Sequence, residues 1–396
     1  SLALGGDFTN NGSFFAGISN IDITGVIDQN IDDFTTTGTV SMTKTGNTAT
    51  FTGNVSGGAL TISGSGGTLN LGSGLTHTFT GTWTRTAGAL EGGSSTLNLG
   101  KLGVVASGTG APFTPGTGTV NYYAEGAQTV AAVTYNNLTL SGSGAKTTTG
   151  ATVNGVLSME GTATASGSIT YGSAATLQYN TATARTASTT EWKTPFAATG
   201  GVIIANTGTI TMNGAKVFNA DIPLTINSGA TLATNNSTLT LGGNFTNNGT
   251  FTAGSSAITM TNTAATQGIA GFTTTGTVSM TKTAGTATFT GNVSGGGLTI
   301  NGSGGTLNLG SGLTHTFTGT WTRSAGTGIL NGGSSTLNRE GALSGSGGTF
   351  TAGTGTVNYA GAAQTVAPVI YNNLGLSGTG AKTLTGLTTI NGDLTL

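Results

Sequence analysis

FTTTGTVSMTKTGNTATFTGNVSGG, residues 34–58, returns as FTTTGTVSMTKTAGTATFTGNVSGG, residues 272–296, at an offset of 238 residues. Flanking segments return at nearly the same distance. LGGDFTNNGSF, residues 4–14, reappears as LGGNFTNNGTF from Leu241, and YNNLTLSGSGAKT from Tyr135 reappears as YNNLGLSGTGAKT from Tyr371. A long fixed period marks an array in which each unit buries its apolar face on its neighbours. The reading divides the chain into a first unit, residues 1–237, and a truncated second copy, residues 238–396, stacked continuously on it.

Within each copy the pattern is that of short strands. TVSMTK (39–44), TATFTG (48–53), ALTISG (59–64) and TLNLG (68–72) alternate apolar with polar residues and end at Gly, Asn-Gly or Ser-Gly turns. Gly, Thr and Val dominate and apolar residues rarely recur at helical spacing, so no significant helix is expected. Two or three strands make a coil of roughly 18–27 residues, which gives about 18 coils and, at about 4.8 Å per rung, a rod on the order of 85 Å. The expected fold is all-β: a right-handed parallel β-helix (β-solenoid) of short strands with Gly/Asn-rich corners. A string of β-sandwiches has the same rhythm but needs charged or Pro-protected edges and linkers. Length differences between the copies also fall in turns, as in TRTAGALEGG against TRSAGTGILNGG, which a solenoid absorbs at its corners.

Composition narrows the function. The 396 residues include 72 Gly and only 6% charged residues, against roughly a quarter in ordinary domains. The 11 Lys and Arg are scattered and the net charge is −1, so no basic stripe exists for nucleic acid. No run of about 18 apolar residues exists to span a bilayer. Without Cys there are no disulfides or thiolate metal sites. The chain opens and stops inside the repeat (SLALGGDF; NGDLTL) and reads as a segment of a longer protein.

The order GGNFTNNGTFTAG, a TVNY…AQTV pair, YNNLTLSGSGAKT and NGDLTL resembles the strand-repeat regions of very large secreted bacterial surface proteins. These are similar in style to filamentous-haemagglutinin and autotransporter passenger β-helices. The resemblance covers essentially the whole chain. It implies an extracellular or cell-surface β-solenoid used as a fibre, filament or adhesin stalk. Its implied partners are further copies of itself, head to tail or by lateral rod packing, and glycans or other cell surfaces. It brings no catalytic residue and no cofactor.

Candidate sites are few. The nine acids that can be compared between copies have no carboxylate at the matching position: Asp7 faces Asn244, Asp22 faces Thr259 and Glu91 faces Asn331. A repeated active site is excluded, and the expectation is that the chain is not an enzyme. A single site, as in a polysaccharide-degrading β-helix, would draw on Glu160, Glu191 and Asp221. Asp22, Asp28, Asp32 and Asp33 form the one acidic cluster, without the spacing of a known Ca²⁺ loop, and are expected in a solvated loop. His77 and His315, one per copy, are expected as stack residues. Both lie in THTFTGTWTR. There alternation sends Thr76, Thr78, Thr80, Thr82 and Thr84 to one side and His77, Phe79, Trp83 and Arg85 to the other. A glycan or self-contact face built from Trp83, Trp321, Thr78, Thr80 and Thr82 is the alternative function. Threonine rows also suit ice, but that requires TxT in phase on successive coils, and the phases along the sequence are irregular. Sequons at Asn11, Asn54 and Asn248 are expected by chance at this composition.

Overall fold

The alternation of Thr with Val, Leu, Ile and Phe becomes strands of two to four residues, broken wherever Gly, Asn or Ser turns the chain. A computed structural model describes residues 1–263, 266–324, 326–386 and 388–396. The protein is an all-β parallel β-solenoid of about 20 turns, with no helix among the described residues. The chain divides into two compact units, Ser1–Thr183 and Ala184–Leu396.

In the first unit each turn contributes strands to as many as three ladders. Val40–Met42, Leu60–Ile62 and Trp83–Arg85 stack in one, Thr48–Phe51, Thr68–Asn70 and Ala89–Glu91 in the second, and Val55–Gly57, Thr76–Phe79 and Thr96–Leu99 in the third. The third runs on through Thr119–Tyr122, Asn137–Leu140, Val156–Met159 and Thr176–Tyr179. All these pairings are parallel and join strands one turn apart, so the hydrogen bonds link turn to turn. In the second unit the repeat rebuilds the arrangement: Val278, Leu298 and Trp321 stack in register, as do His315 and Leu337.

Because strand register is kept, like residues stack in columns. Leu97, Val120, Leu138, Leu157 and Leu177 form one inward column; Leu99, Tyr122, Leu140, Met159 and Tyr179 form the next. Each fully buried Leu, Val or Met contributes about 1.5–3 kcal/mol. The corners depend on glycine where turns press together. Gly93 has φ 58°, and a Cβ there would lie 1.9 Å from the carbonyl oxygen of Gly72. Gly57 makes room inside: a Cβ there would stand 2.9 Å from both Phe79 and Val40.

Candidate functional surface

Where the sequence suggested one extended strand through THTFTGTWTR, the chain makes two, Thr76–Phe79 and Trp83–Arg85, around a corner. The alternation survives the bend. His77, Phe79, Trp83 and Arg85 are buried, while Thr76, Thr78, Thr80, Thr82 and Thr84 are exposed or half-exposed. This corrects the proposed glycan face. Trp83 is 0% and Trp321 1% exposed, so neither indole can stack on a sugar. Each is wedged edge-on against the phenylalanine of the following turn, Trp83 on Phe113 at 5.4 Å and Trp321 on Phe350 at 5.9 Å. Each carries a guanidinium on its face, Arg85 at 5.1 Å and Arg339 at 4.5 Å. Thr78, Thr80 and Thr82 remain at the surface without an aromatic partner from this motif.

The histidines are interior braces. Val55 N–H donates to His77 Nδ1 at 3.1 Å, and His77 Nε2 lies 2.8 Å from the Leu71 carbonyl, which places the proton on Nε2. Val293, His315 and Leu309 repeat both distances. Burial disfavours the imidazolium and pushes His77 down to about 4, with His315 lowered in the same direction.

Lysine is used in the same way. Lys146 Nζ donates to the carbonyls of Ala124 (2.7 Å) and Gly126 (3.0 Å) and to Gln128 Oε1 (2.7 Å). Gln128 Nε2 in turn donates to the carbonyls of Leu99 and Lys101 on the turn before. Lys44 and Gln29 are bonded likewise at 2.7 Å, and Gln29 Nε2 holds the carbonyls of Leu4 and Gly6. Desolvation lowers the pKa of both lysines, Lys146 to about 8. The cations Lys44, Arg85, Lys146, Lys216, Lys282 and Arg339 are all buried. Sequence reasoning missed this inward use of lysine. The signal was the return of Gln29 with Lys44 as Gln267 with Lys282.

The acids cap backbone. Asp7 Oδ1 accepts Asn30 N–H at 2.8 Å, and Asn244 Oδ1 accepts Gly268 N–H at 2.9 Å. The position needs an acceptor rather than a charge, which is why the two copies differ there. Asp28 accepts Thr48 N–H, and Asp32 accepts the N–H groups of Asn10 and Asp33. Among the described residues no three His, Cys, Asp or Glu gather to hold a metal ion. Glu160 accepts Ser158 Oγ and Asn180 Nδ2. Glu191 is buried, accepts the Ser188 N–H at 2.7 Å and faces Arg185 at 3.9 Å. Asp221 is exposed in a turn, with φ 63°.

Two open grooves repeat between the copies. One, of about 560 Å³, is lined by Thr50, Asn70, Ser73, Leu75 and Ser94; the other, of about 430 Å³, by Thr288, Asn308, Ser311, Leu313 and Ser334. Neither is lined by a carboxylate or a cation. No known protein family, curated protein or solved structure matches the chain.

Proposed function

We propose that the chain is a structural segment of an extracellular fibre, filament or adhesin stalk, in which the stacked turns are themselves the working part, and that it has no catalytic role. One observation carries the reading. Side chains whose chemistry elsewhere serves catalysis or binding are here spent on holding one turn to the next. His77, Gln128, Lys146, Asp7 and Asn244 each bond backbone that lies one turn away or at a neighbouring corner. A parallel ladder grows by adding one more turn to an open strand edge, so the stack can be extended by further turns of the same kind or by another copy. Localisation at the cell surface and contacts with other copies or with glycans belong to this proposal. Electron microscopy of the native material tests it. Uniform fibres or stalks whose width matches one solenoid support it; isolated globular particles carrying a hydrolytic activity on polysaccharides refute it.

A further inference from the structure

Thr76 and Thr78, Thr96 and Asn98, Thr119 and Asn121, and Asn137 and Thr139 lie directly above one another on four consecutive turns of the first unit. In the second unit the same ladder carries Thr314 and Thr316, Thr336 and Asn338, Thr356 and Asn358, then Asn373 and Gly375. In this ladder Thr-x-Thr itself occurs on one turn of each unit, as the irregular phases of the sequence implied, and the other turns bring in Asn, so what recurs in register is a mixed hydroxyl and amide grid. Loops of unequal length place the threonines unevenly along the chain, yet the paired strands bring them into one grid. The grid is uncharged, and apart from Gly375 its residues are exposed or half-exposed. Its amides are also fixed in place. Asn121 Nδ2 donates to Asn98 Oδ1 at 3.0 Å, Asn98 Nδ2 to Thr78 Oγ1 at 3.4 Å, and Ser141 Oγ to Asn121 Oδ1 at 2.7 Å. Asn358, Asn338, Thr316 and Ser377 repeat the chain of bonds.

We propose that this face binds ice. Parallel strands set one spacing of the grid at about 4.8 Å, and alternate residues along a strand set the other at about 6.6 Å. Tetrahedral water with oxygens about 2.75 Å apart has second neighbours at roughly 4.5 Å and a stacking repeat of roughly 7.3 Å, from hydrogen-bond length alone. The mismatch is about 0.3 Å between rungs and about 0.7 Å along a strand, so a grid of four rungs by two columns stays within about 1 Å of the lattice in both directions. Water ordered on the hydroxyl and amide grid therefore continues into the crystal.

Two other occupants fit less well. A neutral glycan needs an apolar platform for its ring faces, and Trp83 and Trp321 are inside. A second copy would meet a four-by-two grid of about 250 Å², well short of the roughly 800 Å² per partner of a stable interface. Period, not area, is what this face offers.

The test is ice-recrystallisation inhibition and thermal hysteresis by the purified chain. The face variant combines T96K and T119K with T336K and T356K; T117K with T354K, at exposed corner positions, is the control. The proposal expects slowed crystal growth by the native chain and by the control, and at least a tenfold loss in the face variant at an unchanged melting temperature. Native protein that leaves ice growing as an inert protein of equal size does overturns it, whatever the variants do. So does full activity in the face variant. Concentration-dependent dimerisation abolished by the same four substitutions, without ice activity, would assign the face to a second copy instead.

Discussion

Acid should loosen the first unit through His77, and by a calculable amount. In the folded chain the imidazole sits in a slot that accepts only its neutral form, with Nδ1 taking the Val55 N–H and Nε2–H giving to Leu71. Its pKa falls from 6.5 to about 4. Between these values the unfolded chain binds a proton that the folded chain does not, so stability rises with pH across the window and is lost on acidification. The full difference is about 3.4 kcal/mol, and about 2 kcal/mol of it has gone by pH 5. If the Ser1–Thr183 unit melts on its own, 2 kcal/mol is a drop of roughly 5 °C. Other groups add their own pH dependence, so the measurement is a difference. Calorimetric melting of the native chain and of His77→Gln is followed from pH 7.5 to pH 4. Gln can accept and donate at the same two places but does not titrate. The native chain should lose several degrees more than the variant between pH 6.5 and pH 4. Parallel curves, or an NMR titration placing His77 near 6.5, would refute the argument.

Three further outcomes follow from the same contacts. Lys146→Ala removes one donor each from the Ala124 and Gly126 carbonyls and Gln128 Oε1, of which the Ala124 carbonyl keeps the Gly126 N–H and Gln128 Oε1 keeps the Ala124 N–H, and should cost about 1–3 kcal/mol in denaturant unfolding, while Lys101→Ala changes little. Asp7→Asn should be neutral, because Asn244 already makes the equivalent bond in the second copy; Asp7→Ala should cost about 1 kcal/mol, read as a shift of the denaturation midpoint. Gly93→Ala, with φ 58° and a Cβ driven to 1.9 Å from Gly72 O, should lower the melting temperature more than Ala substitution at exposed Ser94.

Much of the architecture was legible because the chain states it twice. Turn residues and alternation located strands such as TATF and TLN, and Thr against His-Phe-Trp-Arg correctly separated outside from inside. Three things were hidden, each for a physical reason. Register between turns was hidden because the steps Thr76 to Thr96, Thr96 to Thr119 and Thr119 to Asn137 have different lengths, and hydrogen bonding rather than spacing sets the alignment. The place of Trp83 was ambiguous because an indole suits either a sugar-binding surface or a core, and only the stacking of Phe113 decides it. The inward lysines ran against the ordinary preference of that side chain. They become tolerable only when corner carbonyls turn inward to meet the ammonium group, as Ala124 and Gly126 do for Lys146.

The six cations held inside change how the molecule presents itself to the solution. Of 11 Lys and Arg only five lie outside the buried class, whereas 11 of the 12 acids do, Glu191 being the exception. The net charge stays at −1, since burial does not cancel a charge, but the acids lie at the surface while most of the cations sit beneath it. The chain should adhere to an anion exchanger more firmly than its isoelectric point of about 6.0 implies. Copies that approach one another meet carboxylates more often than cations, and faces that bear no acid are where they come together with least repulsion.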